Sequence, residues 1–157
     1  MAKKKSWREK LNEFEEKIHD ITPEWEEKLG KGKILIPSAV DIETLINQTT
    51  KGELLTNDII REALAKKKNV QVTAAIPTGV YLKYIALATE DEREANKSKI
   101  TPYWRVLKPD GTVNIKFPGG AEEQTKLLEE EGHKIEPGVG KKPPLVVSHI
   151  EKLNYLS

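Results

Sequence analysis

The sequence contains no cysteine among its 157 residues. It therefore cannot form disulfides, thiolate metal sites or a cysteine nucleophile. The three histidines (His19, His133 and His149) lie far apart and show no spacing typical of metal ligands. No apolar run approaches the roughly 18 residues that a membrane span needs. We therefore expect no metal, no cofactor and no membrane association.

A strong net charge is also lacking, because the formal charge at pH 7 is +1. No global basic field indicates nucleic acid, so any such interface must be local. The Lys-rich start leads into a charged helical pattern rather than an apolar run, which argues against a secretory signal. The length suits one domain with an extension. We expect a cytoplasmic monomer.

The N-terminal part, residues 1–35, shows helical periodicity. Apolar residues recur at four- and three-residue steps and predict one amphipathic helix from Ser6 to Asp20. Thr22-Pro23 then predicts a second short helix, with Thr22 as N-cap and proline at its first position. This N-terminal helical extension either packs on the following domain or serves self-association or a partner.

The middle of the chain predicts a short strand and three helices. Lys33 to Pro37 is apolar and extended, and Ser38 is placed to cap a helix that runs to about Gln48. Thr56 is placed to cap the second helix, and Pro77-Thr78-Gly79 precedes the third. The positions predicted to face inward are Val40, Ile42, Leu45, Ile46, Ile59, Ile60, Ala63, Leu64, Leu82, Ile85, Ala86 and Ala88.

A β-hairpin is predicted next. Residues 101–106 and 112–117 both alternate between apolar and polar positions, and a Pro-Asp-Gly turn at Pro109 to Gly111 separates them. A helix from Ala121 to Glu131 follows and stops at Gly132. The order is helix, turn, helix, connection, helix, hairpin. It predicts an α/β winged helix-turn-helix domain over residues 36–132, followed by a C-terminal tail at 133–157 whose role the sequence leaves open.

The segment from Ile100 to Gly132 resembles the C-terminal half of the alkylguanine-DNA alkyltransferases. That family carries Pro-Cys-His-Arg-Val, a hairpin, Gly-Gly, and a short helix that ends in Glu-Gly. The matching residues here are Pro102, Arg105, Val106, Gly119, Gly120, Glu131 and Gly132. Tyr103 occupies the position of the family's acceptor cysteine, and Trp104 that of its histidine. The resemblance implies a winged helix-turn-helix fold of the alkyltransferase C-terminal type.

The two replaced residues exclude the chemistry of that family. Its reaction moves an alkyl group onto a thiolate, whereas tyrosine has an ordinary pKa near 10 and tryptophan has no proton to shuttle. The chain therefore looks like the non-enzymatic alkyltransferase-like members, which bind alkylated DNA without repairing it. The resemblance implies a protein that binds the minor groove of double-stranded DNA, senses alkylated guanine by base flipping, and passes the lesion to other repair proteins.

The resemblance, together with the local basic charge, implies two groups of site residues. The DNA-binding group comprises the third helix and the local basic positions: Thr78, Gly79, Tyr81, Lys83, Tyr84, Arg105 and Lys108. The base pocket comprises Pro102, Tyr103, Trp104 and Glu131, with the Tyr103 ring placed to stack on a flipped base.

Each of these assignments has a structural alternative. In the alternative for α5, Tyr81 and Tyr84 belong partly to the core, and Lys83 is an ordinary solvated lysine. Tyr103 and Trp104 then fill the space of the former pocket, and Arg105 ties its segment to the following helix. Two other functions also remain open: a protein-interaction or lesion-independent DNA-binding scaffold with a closed pocket, and an enzyme that uses Tyr103 and Glu131.

Overall fold

The computed structural model describes residues 5–156, so Ala2 to Lys4 of the Lys-rich start and Ser157 lie outside it. The predicted α/β class is confirmed, with small sheets. The helices are α1 (Trp7–Asn12), α2 (Pro23–Leu29), α3 (Ala39–Ile46), α4 (Asn57–Lys67), α5 (Ala75–Glu94) and α6 (Gly120–Glu130). The strands are β1 (Lys17–Asp20), β2 (Lys33–Ile36), β3 (Leu55–Thr56), β4 (Val72–Thr73), β5 (Val106–Leu107), β6 (Ile135–Glu136) and β7 (Leu145–Val146).

Helices α3, α4 and α5 pack against one another and form the centre of the core. The Ser38 hydroxyl accepts a hydrogen bond from the Asp41 backbone N–H at 3.1 Å, which confirms the predicted cap of α3. Most of the predicted inward positions are buried. Val40 is the clear error, because its side chain is 46% exposed.

Helix α5 begins at Ala75, earlier than the sequence predicted. Pro77 lies in its first turn, where the backbone N–H groups have no partner within the helix, so the missing proline donor costs nothing. The helix therefore extends past Pro77 toward the N-terminus and presents an additional turn to its surroundings.

The single N-terminal helix predicted through Asp20 is wrong. Helix α1 ends at Asn12, and Lys17–Asp20 forms β1, which pairs antiparallel with β2. The spacing of Ile18 suited a helix, but its side chain is 44% exposed. Strand pairing gives the backbone of these residues hydrogen-bond partners on β2, and this tertiary pairing outweighs local helical periodicity.

Strand β2 also pairs with β4, in parallel, so the first sheet has the order β1-β2-β4. Leu35 and Thr73 are register partners and are both buried against the core. The sheet thus joins the N-terminal segment to the connection between α4 and α5.

The predicted hairpin is wrong beyond its turn. The turn itself forms, since the Lys108 N–H donates to the Thr112 carbonyl at 3.0 Å. Residues 113–117 then form turns and bends rather than a strand, and Thr112 makes a single antiparallel bridge to Leu145. The first predicted strand is reduced to β5, which pairs in parallel with β3.

The C-terminal tail takes the place of the missing hairpin partner. The Val113 N–H donates to the Pro144 carbonyl at 3.0 Å, and the Val146 N–H donates to the Gly111 carbonyl at the same distance. Val146 is buried. Farther along, the Leu54 N–H donates to the Lys152 carbonyl, and the Asn154 N–H donates to the Leu54 carbonyl. The tail is therefore integrated with the domain through backbone hydrogen bonds.

Candidate nucleic-acid interface

Tyr103 lies in a short 3-10 turn, Tyr103–Arg105, and not in the strand predicted for this segment. Its side chain is fully buried. The ring makes edge contacts with Trp104 and Phe117 at centroid distances of 5.5 and 5.2 Å. Its hydroxyl donates to Glu90 Oε1 at 2.6 Å. We call these four residues (Glu90, Tyr103, Trp104 and Phe117) the Tyr103 cluster.

The chemistry of the Tyr103 hydroxyl follows from these contacts. Burial raises its pKa, and the hydrogen bond and charge of Glu90 raise it further, well above the ordinary value of 10.0. The phenol therefore stays protonated at neutral pH and serves as a hydrogen-bond donor. It has neither the ionisation nor the exposure that a nucleophile needs.

Glu90 anchors the Tyr103 cluster, although it was not among the predicted site residues. Glu90 also accepts from Arg93 at 2.8 Å, and Arg93 reaches Glu123 on α6 at 3.3 Å. The Glu90–Arg93 spacing on a helix was the available signal, because residues three apart lie side by side. Nothing in the local pattern indicated that Tyr103 would join them.

Arg105 is also buried, with 8% of its surface exposed. Its guanidinium holds Glu131 through Nε at 2.9 Å and Nη2 at 2.8 Å. Its remaining nitrogen donates to the Thr49 carbonyl at 2.8 Å and to the Thr49 hydroxyl at 3.0 Å. Arg105 thus ties the 3-10 turn to the end of α6, and its donors are engaged inside the protein.

The Glu131 carboxylate receives this bidentate contact at the C-terminus of α6. Burial by itself raises the pKa of Glu131, but the Arg105 hydrogen bonds and charge outweigh burial and lower it. The Trp104 indole N–H lies near enough to lower it further, although it does not reach hydrogen-bonding geometry. Trp104 is 9% exposed, and Pro102 beside it is also buried. The four predicted pocket residues therefore lie together, but in a packed interior.

The predicted DNA-binding residues of α5 fall on different faces of that helix. Thr78 is fully buried, and its hydroxyl donates to the Ala74 carbonyl at 2.7 Å. Tyr81 stacks on Phe14 at 4.7 Å, and Tyr84 stacks on Trp7 at 5.1 Å. The segment that contains α1 thus covers the tyrosine face of α5.

The remaining face of α5 is open. Lys83 is exposed, Val80 is 39% exposed, and a Cβ placed on Gly79 would meet no atom within 4 Å. Lys83 lies four residues after Gly79 and three residues after Val80, so the three positions share one side of the helix, which we call the open strip of α5. The first turn contains no acidic residue. Lys108, on the turn after β5, is also exposed.

No group of three or more His, Asp or Glu side chains within residues 5–156 is arranged to hold a metal ion. None of the helices described is long and apolar enough to cross a membrane.

Comparison with protein-family models, with curated proteins and with solved structures found no match to this chain.

Proposed function

We propose that this protein is a non-enzymatic DNA-binding protein of the alkyltransferase-like type, which binds duplex DNA without requiring an alkylated base. The observation that carries the proposal is the open strip of α5. Gly79 has open space beside it, the first turn of α5 carries no acidic side chain, and Lys83 is exposed, which together suit close approach to a phosphate backbone.

The helical arrangement supports the same proposal. Helices α3 and α4 pack on α5 and leave its open strip facing outward, as the two-helix support of a recognition helix does. The turn at Lys108 would lie where the wing of a winged helix-turn-helix lies, although it is stabilised by the C-terminal tail rather than by a hairpin. The resemblance implies that α5 binds in the minor groove.

The packing of the Tyr103 cluster favours lesion-independent binding over base sensing. A flipped base would have to displace a fully buried tyrosine whose hydroxyl is bound to Glu90. Removing a buried partner from a charged hydrogen bond costs about 1.5–3 kcal/mol. Selection of alkylated guanine at this position would therefore oppose the stability of the cluster.

A titration with two matched duplexes tests the proposal. One duplex is unmodified, and the other carries a single alkylated guanine. We expect saturable binding to both, with affinities within about threefold of each other, which is less than 1 kcal/mol. Preference for the lesion by about tenfold or more, which is 1.4 kcal/mol, would restore the damage-sensing hypothesis. Absence of binding to both would reject a DNA-binding function.

Two substitutions test whether the open strip is the interface. Gly79→Leu should keep or raise the stability of the fold, because leucine is the better helix former and its Cβ would meet no atom within 4 Å. It should nevertheless weaken DNA binding by blocking backbone approach, and more strongly than Gly79→Ala. Lys83→Ala should reduce the slope of log affinity against log salt by about 0.9.

The matched control is Lys126→Ala on α6, which is equally exposed and, like Lys83, forms no ion pair within residues 5–156. The control should leave both affinity and salt slope unchanged. Equal losses for Lys83→Ala and Lys126→Ala would show that binding follows overall charge and not the open strip.

A further inference from the structure

The outer face of the first sheet is apolar and forms the floor of a groove. Side chains alternate across a strand, so the residues next to buried Leu35 and Thr73 point away from the core. They are Ile34, Ile36 and Val72, all half-buried, and Ile34 is the register partner of both His19 and Val72.

Two helices form the walls of this groove. Trp25 and Leu29 of α2 stand on one side, and Ala75, Ile76 and Pro77 at the start of α5 stand on the other. The tops of the walls are exposed, with Trp25 52% and Ile76 81% accessible, whereas the floor is sunk between them. We call this feature the sheet groove.

The size of the sheet groove suits a small molecule. Its volume is about 500 Å³, within the range of roughly 300–1,000 Å³ that is usual for ligand sites lined mainly by apolar side chains. A stable interface between proteins needs about 800 Å² from each partner. A groove of this volume encloses a compact ligand better than it supplies such an area.

The charges at the edge of the groove are not balanced. The Asp20 carboxylate lines it and stays ionised, because Lys33 lowers its pKa, but the Lys33 ammonium at 2.7 Å offsets its charge. Arg61 also lines it, and its Nε donates to the Asn57 side chain at 2.6 Å. No carboxylate forms an ion pair with Arg61 anywhere within residues 5–156. The available charge at the groove is thus positive.

We propose that the sheet groove binds a small, mainly apolar molecule that carries one anionic group, with its apolar body on Ile34, Ile36 and Val72 and its anion toward Arg61. Apolar burial supplies the affinity, and the charge orients the ligand. The proposal goes beyond DNA binding and does not depend on it, because the floor of the groove belongs to the first sheet.

The test uses dodecanoate below its micelle concentration and dodecanol as an uncharged ligand of the same length. Trp25 at the wall provides a fluorescence signal, and Trp25→Phe identifies the part of the signal that comes from the groove. We expect a saturable change with dodecanoate and about tenfold weaker binding of dodecanol, a difference of 1.4 kcal/mol. Non-saturable titration, or an unchanged signal in Trp25→Phe, would overturn the proposal.

Two variants locate the ligand. Ile76→Asp places a charge at an exposed wall position where the fold tolerates it, and it should weaken dodecanoate by about tenfold or more. Val139→Asp is the matched control, because Val139 is 78% exposed and lies outside the groove. Arg61→Gln should reduce the preference for dodecanoate over dodecanol to within about twofold.

The same variants distinguish the proposed ligand from other occupants of the sheet groove. Equal dodecanoate affinity for Ile76→Asp and Val139→Asp would place the ligand elsewhere and reject the proposal. If wild-type protein is dimeric by sedimentation and Ile76→Asp is monomeric with unchanged dodecanoate affinity, the groove is instead an interface between two copies. Equal affinity of wild-type protein for dodecanoate and dodecanol would reject the anionic group.

Discussion

The Tyr103 cluster and the sheet groove contain similar kinds of side chain but differ in how much space they leave. In the cluster, a tyrosine, a tryptophan and a phenylalanine pack edge to face around a buried hydroxyl bound to Glu90. In the groove, two isoleucines and a valine form a floor that nothing within residues 5–156 fills. The residues that were predicted to form a base pocket are packed shut, while an open volume lies in a part of the chain with no recognisable motif.

The difference teaches that a motif locates a framework and not a cavity. Arg105 and Glu131 hold the 3-10 turn against α6. Tyr103 and Trp104 carry large side chains, and these occupy the interior. Interiors are close-packed, so two large buried side chains leave no pocket between them.

Among the variants that distinguish the Tyr103 cluster from the sheet groove, Arg105→Met should lower the free energy of unfolding most. The substitution leaves the buried Glu131 carboxylate without its partner, and it should lower the free energy of unfolding by about 3–5 kcal/mol. Chemical denaturation measures the loss. Lys33→Met, which breaks the exposed pair with Asp20, is the control and should leave the free energy of unfolding nearly unchanged. Similar losses for the two would mean that Glu131 is solvated and the framework is open.

Tyr103→Phe should lower the free energy of unfolding by a smaller amount. The change keeps the ring and its edge contacts but removes the hydroxyl that donates to Glu90, so the cost should be about 1.5–3 kcal/mol. Glu90 retains Arg93, which limits the loss. Denaturation curves of Tyr103→Phe and of Tyr155→Phe, whose tyrosine is 61% exposed, provide the comparison. If both variants matched wild type, the cluster would be loose enough to admit a ligand.

Trp25→Ala should change stability least among these truncations. Helix α2 has no fully buried residue and Trp25 is 52% exposed, so only part of its apolar surface contributes. The expected cost is about 1 kcal/mol, again by chemical denaturation. A loss as large as that for Arg105→Met would show that α2 is clamped to the core and that the sheet groove is closed in solution.

Sequence reasoning succeeded where local chemistry decides the structure. The Ser38 cap, Pro23 at the start of α2 and the turn at Asp110 are all present, because each depends on residues within a few positions. It failed where distant segments compete for the same backbone groups. Residues 17–20 pair with β2 instead of extending α1, and residues 112–113 bond to the tail instead of closing a hairpin.

The candidate site likewise contains some contacts that the sequence predicted and others that it did not. Arg105 holds Glu131 at the end of α6, as the structural alternative predicted when it had Arg105 tie its segment to the following helix. The stacking of Phe14 and Trp7 on the tyrosines of α5, and the bond from Tyr103 to Glu90, depend on tertiary packing between separate segments. The sheet groove was not predicted, because its floor is defined only once β1, β2 and β4 pair.

His133 can be compared with Glu131, because it lies two residues farther along the chain but titrates in a different pH range. Burial lowers the pKa of its imidazole from 6.5, Lys152 and Arg105 lower it further, and Glu131 acts in the opposite direction. Its Nε2 is buried without a hydrogen-bond partner within residues 5–156. The unfolded chain therefore takes up the proton first as pH falls. The stability due to neutral His133 is fully present above pH 6.5 and is lost as pH falls from 6.5 through the folded-state pKa.

The pKa of the Glu131 carboxyl is also lowered, from 4.5. The ionised carboxylate therefore stabilises the fold above pH 4.5, and this contribution is lost only as the pH falls below that value. The two steps can thus be separated by measuring the free energy of unfolding in urea at several pH values. His133→Gln should remove part of the decline just below pH 6.5 and leave the decline below pH 4.5 intact. An unchanged profile in His133→Gln would mean that water reaches the imidazole, and that the packing which closes the Tyr103 cluster does not extend to the end of α6.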